Sequence, residues 1–277
     1  MARVNSSRKN SKAKYERPNP SMIELCRSIE KGNIPASSFA KLLENHSDLL
    51  MQMAIADRPD CPRDVLDTLV RLEDNRIQKR AVGNKNYPIS SIRALLGIQN
   101  RKNISAAVDN FSPKTLHAIV SRPDCPADVL HFLAGSSSQD LVESIAEHPN
   151  TSPATLRMLS DHPWYLISRR VVENPHCPVD VLDRLSIGTP LSLKKSILAN
   201  PGFGSDKIIA WLKKAELNLM ASYNQIEVIN VVLSNNPNPD TFYTVADIEG
   251  LNPAVYKALL SHPKCPQDLA FLLSLDV

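Results

Sequence analysis

Apolar residues along this chain come in short groups at helical spacing, separated by polar stretches that carry proline. Val65, Leu66 and Leu69 form one group, and Val181, Leu182 and Leu185 another. Such spacing puts each group on one face of a helix. A recurring phrase introduces them: RPDCPRDVLDTL (58–69), RPDCPADVLHFL (122–133), NPHCPVDVLDRL (174–185) and HPKCPQDLAFLL (262–273). Weaker copies are NKNYPISSIRALL (84–96), HPNTSPATLRML (148–159), NPGFGSDKIIAWL (200–212) and NNPNPDTFYTVA (235–246). The anchor position falls at 35, 62, 88, 126, 153, 178, 204, 239 and 266, with glycine in place of proline at 204. Successive steps are 27, 26, 38, 27, 25, 26, 35 and 27 residues. A period in this range marks a repeat array, and the two long steps mark insertions in it.

Each copy reads as a helix start. Proline suits the first helical position, where its missing N–H would have had no partner. The residue before it is then the N-cap. Ser112, Ser152 and Asn238 are good cap acceptors, and Cys61, Cys125, Cys177 and Cys265 are expected in the same slot. Asp64, Asp128, Asp180 and Asp268 follow in the first turn, where a negative charge meets the positive helix end.

A second helix precedes each phrase, as in MQMAIAD (51–57), IQKRAVGN (77–84), LVESIAEH (141–148), ISRRVVEN (167–174), LKKSILAN (193–200) and INVVLSN (229–235). These helices end on Asn, His or Arg with proline close behind. Asn tolerates the left-handed conformation that closes a helix, and proline cannot continue one. Neither helix of a unit reaches the ~12–15 residues at which an isolated helix is even marginal in water. The units must therefore bury their apolar faces on one another. The expected fold is all-α: an α-solenoid of about eight to nine two-helix repeats of ~26 residues.

The stretch LSDHPWYLISRRVVENPHCPVDVLDRLS (159–186) resembles the leucine-rich repeat variant family, whose units run roughly VRxAVAxNPxxPxxxLxxLAxD. The resemblance covers residues 35–277, strongest at 51–69, 141–200 and 255–273 and weakest at 89–121 and 204–230. It implies a right-handed superhelix of alternating short helices, some of them 3₁₀. Some members of that family carry an iron–sulfur cluster in a cysteine-bearing N-terminal segment. Here only Cys26 precedes the repeats, whereas a cluster wants four thiolates.

With 277 residues, 43% of them hydrophobic, the chain can bury a core without disulfide or metal. No apolar run approaches the ~18 residues of a membrane span, and the N-terminus has no apolar signal core. A soluble, cytoplasmic protein with no membrane partner is expected. The net charge of +3 is unevenly placed. Arg3, Arg8, Lys9, Lys12, Lys14 and Arg17 face only Glu16 in residues 1–20, a net of +5 that leaves −2 for the rest. That segment has few apolar residues to offset its ordering entropy, so a disordered basic tail over 1–20 is expected, followed by one repeat domain over 21–277. The tail reads as a solubilising segment or as a non-specific phosphate anchor.

Among candidate chemistries, the repeat-equivalent cysteines lie at least two units apart, ~20 Å or more if neighbouring helices pack ~8–10 Å apart. Zinc needs its sulfurs at ~2.3 Å. No shared metal and no cofactor is expected, although a thiol at a helix start can be acidified and become reactive. The seven histidines show no metal-ligand spacing, and His148 and His262 read as polar ends of second helices. Nucleophile elbows, phosphate-cradling loops and dinucleotide fingerprints are missing.

Basic doublets stand on or near the second helices: Lys79 and Arg80, Arg101 and Lys102, Arg169 and Arg170, Lys194 and Lys195. They read as partners of the acids that open neighbouring first helices, such as Asp64, Asp180 and Asp183, or as a basic stripe for an acidic protein or a phosphate backbone. Trp164 and Tyr165 fall at a corner between helices, and Trp211 and Tyr223 flank the longer insertion. They read as core filling or as interface anchors. The function expected is a non-catalytic scaffold that binds a protein partner. The alternative is sequence-indifferent nucleic-acid binding through basic helix faces and the tail. A glycosylase-like enzyme would need an isolated acid beside aromatics, for which Trp211 is the one hint.

Overall fold

The structure is a computed structural model that describes residues 19–98, 111–214, 217 and 220–276. Residues 1–18 of the basic tail, and Arg101 and Lys102, lie outside them. The chain divides into two compact units, Met1–Pro88 and Ile89–Val277. The first holds α1 (Pro20–Glu30), α2 (Phe39–Asn45), α3 (Leu49–Asp57), α4 (Arg63–Val70) and α5 (Asn75–Gly83). The second opens with α6 (Ile89–Leu96), α7 (Pro113–Val120), α8 (Ala127–Leu133), α9 (Gln139–Glu147) and α10 (Pro153–Ser160). It continues through α11 (Tyr165–Glu173), α12 (Val179–Leu185), α13 (Leu191–Ala199) and α14 (Ser205–Lys214). The last four are α15 (Ser222–Asn235), α16 (Pro239–Ala246), α17 (Pro253–Ser261) and α18 (Gln267–Asp276).

The protein is an all-α repeat fold, with no strand among the described residues. First and second helices alternate, and within each unit the second helices pack on one another in sequence order. In the first unit α1, α3 and α5 form this row; in the other, α7, α9, α11, α13, α15 and α17 do. Among the described residues the turns Ala36–Ser38 and Pro201–Phe203 are 3₁₀ segments, while the helices named above are α. Core positions match the apolar pattern: Val65, Leu66 and Leu69 are buried in α4, as are Ile167, Val171 and Val172 in α11. None of these short helices could hold its shape alone, so this burial between repeats is what stabilises them.

Two local expectations need correcting. First, Pro62, Pro126 and Pro178 do not open their helices. Each is the extended residue just before one, with ψ between 140° and 158°. The cysteine therefore sits one residue outside the cap. A thiol is a weak hydrogen-bond acceptor and a good small apolar filler, so the chain turns it inward. The true counterpart of Cys61, Cys125 and Cys177 is Thr151: all four donate their backbone N–H to the carbonyl three residues back, at 2.9–3.1 Å. Where the preceding residue can cap, the expected arrangement holds. Ser112, Ser152 and Asn238 accept from first-turn amides, with proline next in line.

Second, the polar residue that ends each second helix is not left-handed. Arg58, Asn84, His148, Asn174 and Asn200 have φ between −66° and −73° and ψ between 124° and 132°. Proline follows four of the five, and its ring excludes the helical basin for the residue before it. Their side chains serve the stacking instead. Asn174 Nδ2 donates to the carbonyls of Ala146 and His148 at 2.8 and 3.2 Å. Asn200 Nδ2 does the same to Val172 and Asn174, at 2.6 and 2.9 Å. His148 Nε2 lies 3.0 Å from the Arg122 carbonyl. In the first unit Asn84 Nδ2 reaches Ala56 and Arg58 at 2.8 and 2.7 Å, and the Arg58 guanidinium donates to the carbonyls of Ile29 and Ile34. The carbonyls left over at each helix end thus receive a donor from the next repeat. Along this polar ladder the interval settles to 26 residues in both units.

Candidate interaction surface

The basic doublets divide into paired and unpaired members, and the pairing follows the rows. Arg80 Nε lies 2.8 Å from Asp57 on α3. Arg170 gathers Glu143 and Glu147 of α9 at 2.8 and 2.6 Å and Glu173 of its own helix at 3.2 Å. Arg169 pairs with Glu173 at 2.8 Å, and Lys195 with Glu227 of α15 at 2.6 Å. The ammonium beside it holds the Glu227 carboxyl below the usual carboxylate range. These partners are acids of second helices, not the acids that open first helices. Those belong to a separate row: Asp128 to Arg93 at 2.7 Å, Asp180 to Arg157 at 2.9 Å, Asp183 to Lys207 at 2.5 Å. Geometry explains the correction. Like stacks on like along a solenoid, so side chains on one row reach the same row of the next repeat.

The aromatics are spread out. Trp164 is half-buried at the corner before α11, its ring centroid 4.6 Å from that of His162. Tyr165 is exposed, with its hydroxyl 2.6 Å from Ser192 Oγ. Lys79 is exposed on α5. Lys194 and Trp211, by contrast, come together. They line a cleft of about 630 Å³ with Ile187, Phe203, Lys207 and Lys214, among others. Its one described acid, Asp183, is the partner of Lys207. Lys207, Trp211 and Lys214 fall on one face of α14 because they are spaced at i, i+4 and i+7. Trp211 stands out in the sequence as a scarce aromatic, whereas the two lysines are legible there only through that spacing.

The thiols of Cys61, Cys125 and Cys177 are not poised to react. Burial pushes Cys61, Cys125 and Cys177 up to about 12. The expected option of a thiol acidified by a helix start is overturned by the inward slot described above. Among the described residues no group of three or more His, Cys, Asp or Glu could hold a metal ion, and no helix is long and apolar enough to cross a membrane. Comparison of the chain with protein-family models, with curated proteins and with solved structures finds no match.

Proposed function

We propose that this protein is a non-catalytic helical-repeat scaffold whose exposed rows and clefts bind a protein partner. The observation that carries the reading is the fate of the basic doublets. Arg80, Arg169, Arg170 and Lys195 are each matched by carboxylates within 3.2 Å or less. A phosphate backbone needs a run of uncommitted cations to displace counterions along its length. A mixed face with neutralised charges suits a protein surface better. The acid beside Trp211 is held by a lysine, which speaks against the isolated acid that a glycosylase-like site requires. We further propose membership of the leucine-rich repeat variant family, which the ladder's regular 26-residue interval supports. A cytoplasmic location fits five cysteines that are all free thiols.

The test is affinity capture by the full-length chain with and without nuclease, paired with titration of duplex and single-stranded DNA at low salt. The scaffold reading expects captured proteins to survive nuclease and DNA binding to be no tighter than ~10⁻⁴–10⁻⁶ M. Capture abolished by nuclease, together with tight DNA binding, would reverse it.

A further inference from the structure

We propose that the cleft between the α12–α13 corner and α14 is a docking site for an acidic peptide segment that carries one large apolar side chain. The proposal rests on the scaffold reading and names the chemistry of its partner. Two features set this cleft apart. One is charge: Lys194, Lys207 and Lys214 line it against Asp183 alone, and among the described residues no carboxylate pairs with Lys194 or Lys214. Two cations of the same helices are committed, Arg184 to Asp161 at 2.6 Å and Lys195 to Glu227 at 2.6 Å. Two uncompensated charges, Lys194 and Lys214, therefore meet in this cleft. That matches a short acidic segment better than a nucleic-acid backbone, which would need the charge to continue along the row.

The other feature is apolar surface. Ile187 is 79% exposed at the corner, held out by Gly188 at φ 71°. The half-buried Trp211 faces the same cleft, and Phe203 is buried beneath it. A tryptophan and an isoleucine left open to water beside free cations have the composition of an interface hot spot. The volume of about 630 Å³ lies within the ~300–1,000 Å³ typical of ligand pockets. The lysines would set the approach of the segment, and the apolar side chain would be buried against Trp211 and Ile187.

The experiment titrates the full-length chain with a fluorescein-labelled acidic octapeptide bearing one central phenylalanine. Parallel probes are the same peptide with alanine at the centre and an octamer of thymidylate. Anisotropy reports binding, and tryptophan emission in a Trp164→Phe background reports on Trp211. The phenylalanine peptide should bind, perturb that emission and weaken with salt. The alanine peptide should bind about ten-fold more weakly. Lys194→Glu with Lys214→Glu should cost about ten-fold or more, with helix content unchanged by circular dichroism. Trp211→Ala should weaken the phenylalanine peptide more than the alanine one, a difference that a general loss of structure would not give. The proposal is overturned by no binding up to about 1 mM, by binding indifferent to the lysine reversal, or by tighter binding of the thymidylate octamer. Nuclease-resistant protein capture that survives Lys194→Glu with Lys214→Glu would sink the cleft and leave the scaffold; no capture at all would sink the scaffold itself.

Discussion

Between Arg122 and Asn200 the second unit is regular; from Asn200 onward it is not, and the two stretches obey different local rules. In the regular stretch each helix-ending side chain donates to the repeat before it, and the second helices α9, α11 and α13 are nine residues each. Beyond it α15 runs to 14 residues. Asn236, which should carry the next rung, adopts φ −143° and ψ 68°, and its Oδ1 accepts from the Ser205 hydroxyl at 2.9 Å. The cleft proposed for peptide docking opens where α14 begins this irregular stretch. Regular stacking consumes polar groups in pairs and leaves little to bind with. An interruption frees a helix face for contact with something else.

The largest contrast should appear in the thiols. Cys177 and Cys265 occupy the same slot of the phrase, but Cys177 is 4% exposed in the regular stretch, whereas Cys265 is only half-buried. Burial that carries the Cys177 thiol up to about 12 lowers its thiolate fraction near neutral pH by a factor of about 10³, while partial burial pushes the Cys265 thiol up too but leaves it reachable from solvent. A short pulse of iodoacetamide on the native protein, read by peptide mapping, should label Cys265 and leave Cys177 to react only on unfolding. Equal labelling would mean that the regular stretch opens as readily as the end of the chain.

Next is the ladder. Asn174→Ala strips donors from two buried carbonyls and an acceptor from the His176 amide. Leaving such groups unsatisfied should cost about 2–4 kcal/mol in urea denaturation. Asn236→Ala loses one described side-chain bond at a half-buried site, and should cost about 1 kcal/mol or less. Similar costs at the two positions would show that the ladder is not what distinguishes the stretches.

Much of this fold was legible in residue order. Proline marked most of the turns from a second helix into the next first helix, and the apolar groups named the buried faces. What escaped was register and reach. Aligning the copies on proline hid a one-residue offset between cysteine-bearing and serine-capped repeats, so Cys177 was matched to Ser152 when its counterpart is Thr151. Nothing local distinguishes an asparagine that closes its own helix from one that satisfies a neighbour's, because the two carbonyls it serves lie 26 and 28 residues back. The same limit applied to the basic doublets: opposite charges were visible, but which row faced which was set by stacking. Of the residues singled out, Lys194 and Trp211 share a cleft. Lys207 and Lys214 join them through the helical spacing of α14.

The smallest effect expected is also the one with opposite signs in the two stretches. Thr155 in α10 is fully buried, and its hydroxyl lies 2.9 Å from Ser152 Oγ and 3.0 Å from His131 Nδ1. Thr241 holds the same place, two residues after the anchor proline, in α16 and is equally buried. There the preceding residue is Asn238, whose Oδ1 caps the Asp240 amide, and the Thr241 hydroxyl has no hydrogen-bond partner. Valine has nearly the same shape as threonine without the hydroxyl. Thr155→Val should therefore destabilise by about 1 kcal/mol, since it breaks satisfied bonds and strands their partners. Thr241→Val removes an unpaired buried polar group and should be neutral or stabilising, by up to about 1 kcal/mol. Urea midpoints of the two variants decide it. A loss of stability in Thr241→Val as large as in Thr155→Val would mean that the hydroxyl at 241 is satisfied after all, and that the irregular stretch is as completely paired as the regular one.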